Sequence, residues 1–186
     1  MKKLITFCLL LLTGFSIKAQ NKDTLTCNCP RPKDGKFINI CTLVENHDFA
    51  YKKEIMQMAC VDLLKDSPEI IRRKVNCMWE KYYNEFNCEG SGFITQGNVL
   101  KYAINQGFDY FIDGMVKEFG VNINNKDPAN DKTLLDFVLS EINRYKSYYD
   151  YKEKAPDAIR RVDDLVRTYN HLKNDLKAKH ASELNK

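Results

Sequence analysis

The chain has 186 residues, of which 44% are hydrophobic and 29% are charged, and its formal net charge is +4. It contains only 8 glycines and 5 prolines, so its composition excludes a collagen-like protein or a low-complexity disordered one. The length favours a single domain that can bury a hydrophobic core without help from a metal or a cofactor.

Residues 1–19 are predicted to be a secretory signal peptide. Lys2 and Lys3 precede an apolar run that is shorter than a transmembrane helix, and Ala19 stands where a signal peptidase would cleave. We therefore predict export to the periplasm without stable membrane insertion. Cleavage removes three lysines and no acidic residue, so the net charge falls to +1. Export and a near-neutral charge both argue against a nucleic-acid partner.

Six cysteines remain after cleavage, and an even number in an exported chain predicts disulfide bonds. The disulfide candidates are Cys27, Cys29, Cys41, Cys60, Cys77 and Cys88. Cys60 and Cys77 lie on neighbouring predicted helices and could pair across the turn between them. Free thiols are one alternative. The other is a zinc site of the Cys3His type, formed by Cys27, Cys29, Cys41 and His47.

Residues 20–48 are predicted to be an irregular, cysteine-containing segment, because prolines and a glycine outweigh its few apolar positions. The helical domain is predicted to extend over residues 49–186. Its first helix covers 49–65, where apolar residues from Phe49 to Leu64 recur at helical spacing and predict a largely buried helix. Ser67 and Pro68 then provide the N-cap and the first position of a second helix.

The second half of the chain contains further helix boundaries. Gly107 and Gly120 each end a predicted helix, and the polar residues 121–132 predict a loop or a tight hairpin. Thr133 and Asp136 form a pair like a capping box for the next helix, and the last helix is predicted to begin near Pro156. No strand is predicted, so the fold class is all-α, built from helix pairs.

Two segments of this region match each other, since Asn98–Ala103 aligns with Thr133–Val138 at an offset of 35 residues. Between and at the start of the second segment stand, in chain order, Gly107, Gly120, Ile123-Asn124, Asp127, Asn130 and Thr133. In the order of these residues, the stretch 97–138 resembles the repeat pattern of the ankyrin repeat family, although Thr133 is not followed by proline and Asp136 replaces the family's histidine. The resemblance implies stacked helical hairpins, with the long flanking helices as caps.

Catalytic motifs are not found in the sequence. The chain has only three histidines, and it lacks the usual metalloprotease, serine-hydrolase and phosphate-loop patterns. His171 and His180 are predicted to lie in solvent on the final helix. We therefore predict a protein that is not an enzyme and needs no cofactor.

Ankyrin-like proteins bind other proteins through their loop tips and inner helices, so the resemblance implies a protein partner. By position, the implied contact residues are Phe93, Gln96, Lys101, Asn105, Asn124, Asn125, Lys126 and Lys132. A tyrosine-rich run adds Tyr148 and Tyr149, because tyrosine is enriched at recognition surfaces. The predicted function is an exported protein-binding module, such as an immunity protein or inhibitor that neutralises a toxin or hydrolase acting on the cell envelope. The alternative is a small exported enzyme or metal-binding protein that uses the Cys/His-containing N-terminal half.

Overall fold

The structure is a computed structural model that describes residues 36–82, 88, 99–148 and 156–184. The predicted signal peptide lies outside this part of the chain. Within these ranges the secondary structure is helical, and the only β-type pairing described is an isolated bridge between Asp127 and Lys132. The all-α fold class is thereby confirmed. None of the helices in the described ranges is long and apolar enough to cross a membrane.

Eight α-helices are described, and two of them continue into π-helices. They are α1 (Lys36–Glu45), α2 (Tyr51–Met58), α3 (Pro68–Lys81), α4 (Val99–Gln106), α5 (Asp109–Asp113, continued as a π-helix over Gly114–Glu118), α6 (Leu134–Tyr148), α7 (Pro156–Asn170, continued as a π-helix over His171–Asp175) and α8 (Ala181–Leu184).

Helix α1 corrects the prediction of an irregular segment up to residue 48. Ile40 and Val44 are four residues apart on one face of α1, and both are buried in the core. Cys41 lies beside them and forms a disulfide with Cys88. The helix ends at Glu45, two residues before His47, which has a positive φ of 55°. The backbone N–H of Asp48 then donates to the carbonyl of Leu43.

Helix α2 is shorter than predicted. It ends at Met58, and Cys60 adopts a left-handed conformation with φ of 53°. Because α2 begins only at Tyr51, Phe49 also lies outside it. The side chains of Phe49, Leu63 and Leu64 are 60%, 65% and 96% exposed. The prediction of a buried helix over 49–65 is wrong at both of its ends.

The other local boundary predictions are confirmed. The hydroxyl of Ser67 accepts a hydrogen bond from the backbone N–H of Ile70, directly before Pro68 begins α3. Gly107 and Gly120 have positive φ values of 73° and 67° at the ends of α4 and of the α5 π-helix. Thr133 and Asp136 cap α6 reciprocally, with each backbone N–H donating to the other side chain.

Three helical hairpins lie side by side in the molecule: α1–α2, α4–α5 and α6–α7. Helix α4 contacts both α1 and α6, so these three first helices form one row. The second helices form another row, because the ring of Tyr51 in α2 packs 4.8 Å from that of Phe111 in α5, and Thr168 in α7 donates to Asp109 in α5 at 3.1 Å. In the sequence, helix α3 lies between the first hairpin and the second.

The first two hairpins share one backbone plan at an offset of 60 residues, a repeat that was not predicted. The left-handed residues His47 and Cys60 are 13 positions apart, as are Gly107 and Gly120. The buried residues also correspond, with Ile40, Val44, Tyr51, Ile55 and Ala59 matching Leu100, Ile104, Phe111, Met115 and Phe119.

Close packing between these two hairpins depends on Gly114. A Cβ atom at this position would lie 2.1 Å from the hydroxyl oxygen of Tyr51, a distance that no side chain can occupy. Glycine therefore lets α2 approach the start of the π-helix of α5.

Candidate partner-binding surface

The turn after α2 and the turn after α5 have the same hydrogen-bonding pattern. We name residues 60–66 the first turn and residues 120–127 the second turn. In the first turn, the side chain of Asp62 accepts from the backbone N–H of Leu64 at 3.0 Å, and its carbonyl accepts from Lys65. In the second turn, Asn122 accepts in the same two ways from Asn124 and Asn125. Both are Asx turns, which Asp and Asn form readily.

The first turn is held in place by a second carboxylate. Asp66 accepts from the backbone N–H of Asp62 at 2.7 Å and from the ammonium of Lys74 at 2.6 Å. Lys74 also donates to the carbonyl of Cys60 at 3.1 Å. The hydrogen bond from Lys74 is the main reason that the pKa of Asp66 lies below its usual value. Both ends of the turn are thus fixed to α3.

The two turns differ in how their apolar residues are covered. Leu63 in the first turn occupies the position of Ile123 in the second, but Leu63 is 65% exposed and Ile123 only 5%. The neighbouring Leu64 is almost fully in water. The first turn therefore presents two adjacent leucines to solvent on a fixed backbone, whereas the second turn packs its isoleucine into the core.

The second turn is closed by a buried ion pair. The ammonium of Lys101 bonds to the carboxylate of Asp127, and their side chains are 7% and 8% exposed. Burial raises the pKa of Asp127, but the bonds from Lys101 and from the backbone N–H of Ala129 outweigh it, so the pKa lies below its usual value. Lys101 also lies over the ring of Phe137, 5.5 Å from its centroid. The prediction that Lys101 is a partner contact is therefore corrected: it is a core residue that positions the second turn.

Helix α3 connects the two turns at one end of the hairpin stack. Lys74 binds the start of the first turn, and the side chains of Arg72 and Asn76 donate to the carbonyls of Glu118 and Phe119, directly before the second turn. We name residues 60–66 and 120–132 together the candidate surface. One part of it is apolar and the other is polar.

The structure gathers four of the predicted contact residues, Asn124, Asn125, Lys126 and Lys132, on the loop between α5 and α6. Two of them are engaged within that loop: Asn125 accepts from the side chain of Asn122 at 2.8 Å, and Lys126 pairs with Asp131 at 3.2 Å. Lys132 is exposed.

Other predicted contacts lie apart from the candidate surface or outside the described residues. Asn105, at the end of α4, accepts from the guanidinium of Arg161 at 3.4 Å. Tyr148 is the last residue of α6, and its side chain is not among those described. Phe93, Gln96 and Tyr149 lie outside the described ranges.

The prediction of disulfide bonds is confirmed for some of the cysteines. Cys41 and Cys88 are paired, and Cys77 is also disulfide-bonded. The suggested pair of Cys60 with Cys77 is wrong, because Cys60 is exposed and forms no disulfide. Cys27 and Cys29 lie outside the described residues.

The disulfide also counts against the alternative zinc site. The sulfur of Cys41 is bonded to that of Cys88 and is not a thiolate that could bind zinc. The ring of His47 stacks on that of Tyr110 at 5.0 Å and packs edge-on against Phe108. Within the described ranges, no group of three or more His, Cys, Asp or Glu residues is arranged to hold a metal ion.

The last two histidines are not free in solvent, contrary to the prediction. The two ring nitrogens of His171 lie 2.8 Å from Asp113 and 2.7 Å from Asp175. His180 lies beyond α7, where its Nδ1 contacts Asp136 at 2.7 Å. Both histidines join the C-terminal end of the chain to earlier helices.

No protein-family model, curated protein or solved structure matches the chain. The apolar part of the candidate surface is therefore identified by the exposure of Leu63 and Leu64, by the fixed backbone of the first turn and by the contrast with the buried Ile123 of the second turn. The residues that define it most sharply are Leu63 and Leu64, which were predicted to be core residues. Their exposure follows from the left-handed conformation of Cys60, and a cysteine does not mark the end of a helix in a sequence as glycine does.

Proposed function

We propose that the chain is an exported protein-binding module of ankyrin-like stacked hairpins, and that it binds its partner mainly through Leu63 and Leu64. The observation that carries this proposal is their exposure on a turn whose two ends are fixed by Lys74. Adjacent exposed apolar side chains are typical of interaction sites, and a rigid loop loses little entropy on binding.

The row of first helices and the turns after the second helices support the ankyrin-like part of the proposal. The family's binding surface combines loop tips with inner helices. Here α1, α4 and α6 form the corresponding row, and both turns lie next to α3. The polar loop from Asn122 to Lys132 would then border the apolar contact made by the two leucines.

The most concrete form of this function is an immunity protein or inhibitor that neutralises a toxin or hydrolase acting on the cell envelope. A disulfide that joins residues 47 positions apart suits an oxidising exported environment. An inhibitor needs a preformed contact surface and no catalytic group of its own. The alternative, an exported metal-binding protein or enzyme, would lack Cys41 as a metal ligand, because the sulfur of Cys41 is bonded to that of Cys88.

The proposal is tested with the product of the gene adjoining this one. Calorimetry would measure the binding of the adjoining gene product to the mature chain. A growth assay would show whether co-expression of the mature chain relieves the toxicity of that gene product. The double variant Leu63→Ser/Leu64→Ser should weaken binding at least tenfold. Leu139→Ser is the matched control, because Leu139 is an exposed leucine on α6 and does not belong to residues 60–66 or 120–132.

Two outcomes would count against the proposal. One is that the mature chain does not bind the adjoining gene product. The other is that the leucine double variant binds as tightly as the wild-type protein. The circular dichroism spectrum of the leucine double variant, compared with that of the control variant, checks that the double variant is folded.

A further inference from the structure

The C-terminal segment 176–184 folds back over the second turn and the start of α6. The backbone N–H of Lys179 donates to the side chain of Asn124 at 2.7 Å, and its carbonyl accepts from the hydroxyl of Thr133 at 2.8 Å. The N–H of Ala181 donates to Asp136 at 2.9 Å. The segment therefore occupies Asn124, one of the predicted partner contacts.

His171 lies at the base of this segment and sets its direction. Its carbonyl accepts from the backbone N–H of Leu176, and the next carbonyl, of Leu172, accepts from Ala178. Lys177 between them has a positive φ of 59°. Moving the His171 residue would therefore move the point at which the segment leaves α7.

The ring of His171 requires both of its protons in this position. Nε2 faces the carboxylate of Asp113 and Nδ1 faces that of Asp175, and carboxylates only accept hydrogen bonds. Both contacts are satisfied only by the imidazolium form. In the neutral form one nitrogen would carry a lone pair directed at a carboxylate, so one of the two bonds would be lost.

The charges around His171 are mostly negative. Asp109 and Asp113 face it from α5, Asp175 faces it from its own π-helix, and Lys117 pairs with Asp113 at 2.9 Å. Burial lowers the pKa of His171, but the hydrogen bonds to Asp175 and Asp113 outweigh burial and raise it above the usual 6.5.

His180 differs from His171 because its two hydrogen bonds do not require a charged ring. Its Nδ1 donates to Asp136, and its Nε2 can accept from the hydroxyl of Tyr169 at 3.0 Å. A neutral imidazole makes both bonds. The hydrogen bonds of His171 therefore require the imidazolium form, whereas those of His180 do not.

We propose that residues 176–184 form a pH-responsive clasp, which the positive charge on His171 holds closed over Asn124 and Thr133 and which loosens when that proton is lost. Because the pKa of His171 is raised on folding, its stabilisation is complete below pH 6.5 and disappears as the pH rises through the raised value. On the acid side, burial raises the pKa of Asp113, but bonds from Lys117 and His171 lower it overall, so the contribution of Asp113 is present above pH 3.8 and is lost as the pH falls through the lowered value.

The test is nuclear magnetic resonance of the mature protein between pH 5.5 and 8.5. The ring nitrogen shifts of His171 should show both nitrogens protonated at pH 6, with a midpoint above 6.5. Over the same rise in pH, the exchange protection of the Lys179 and Ala181 amides should fall by roughly three- to tenfold after correction for base-catalysed exchange, as expected for one partly exposed charged hydrogen bond.

Two variants and one control make the test specific. His171→Gln should have low protection at every pH, and Asp175→Asn, at an exposed position, should fold and lower the midpoint of His171. His47→Gln, which alters a histidine that has no carboxylate partner among the described residues, should leave the pH dependence of the amide protection as in the wild type. A midpoint at or below 6.5, protection that does not change with pH, or an Asp175→Asn variant with an unchanged midpoint would each overturn the proposal.

Discussion

The first and second turns have the same backbone hydrogen bonds but differ in what covers them. Leu63 and Leu64 lie in water in the first turn, whereas Ile123 is buried in the second and Asn124 is bound by the C-terminal segment. The shared backbone comes from a left-handed residue followed two positions later by Asp or Asn. The same local backbone structure can therefore be exposed or covered, depending on the side chains at its tip and on whether another segment of the chain packs against it.

The turns also differ in the lysine that fixes each of them. Lys74 and Asp66 are partly exposed, but Lys101 and Asp127 are buried. A buried charge without its partner is far less stable than a solvated one. The second turn should therefore depend on its ion pair more strongly than the first, and substitutions can measure that difference.

The largest effect is expected for Lys101→Met, which leaves Asp127 charged and buried. The free energy of unfolding in urea should fall by about 3–5 kcal/mol. Lys74→Met, the matched change in the first turn, should cost less because water can solvate Asp66. Adding Asp127→Leu to Lys101→Met should restore part of the loss. Equal losses for the two lysine variants would show that the turns do not differ in this way.

The apolar tips give the second contrast. Ile123→Ala removes a buried side chain and should lower the free energy of unfolding by about 2–4 kcal/mol. Leu63→Ala removes an exposed one and should change it by less than about 0.5 kcal/mol. Urea unfolding of both variants measures the difference. A loss of several kcal/mol for Leu63→Ala would mean that Leu63 is packed in the folded protein.

A reciprocal exchange tests the left-handed residues at the start of each turn. Gly120→Ala should destabilise the protein by about 1–2 kcal/mol, because alanine disfavours a positive φ. Cys60→Gly should stabilise it by up to about 1 kcal/mol for the same reason. Thermal unfolding of the two variants should show shifts of opposite sign, and shifts of the same sign would contradict the shared backbone plan.

Acid should weaken the cover of the second turn through Asp136. Burial raises the pKa of this carboxyl, but hydrogen bonds, first from the backbone N–H groups of Ala181 and Thr133 and then from His180, bring it down to about 2. Its stabilisation is therefore present above the usual 3.8 and is lost as the pH falls towards about 2. Unfolding measured from pH 5 to pH 2 should have a shallower slope for Asp136→Asn than for the wild type. Parallel slopes would exclude this role.

Features fixed by neighbouring residues were predictable from the sequence. The N-cap at Ser67, the stops at Gly107 and Gly120 and the Thr133–Asp136 cap each depend on a few adjacent residues. The end of α2 was missed because Cys60, not glycine, takes the left-handed conformation. Helical periodicity alone therefore predicted a helix that included Leu63 and Leu64.

Features fixed by distant residues were not predictable. Lys101 is buried because Asp127, 26 positions away, provides its partner. His171 has its partner Asp113 58 positions away. Neither contact leaves a local pattern in the sequence, so these lysine and histidine side chains were expected in solvent.

The most direct test of the account is solvent paramagnetic relaxation of the leucine and isoleucine methyl groups, recorded with and without the adjoining gene product. We predict strong relaxation at Leu63 and Leu64 and weak relaxation at Ile123 in the free protein, and we expect the two leucines to become protected when the partner is added. Protected leucines in the free protein, or leucines that stay exposed in the complex, would contradict it.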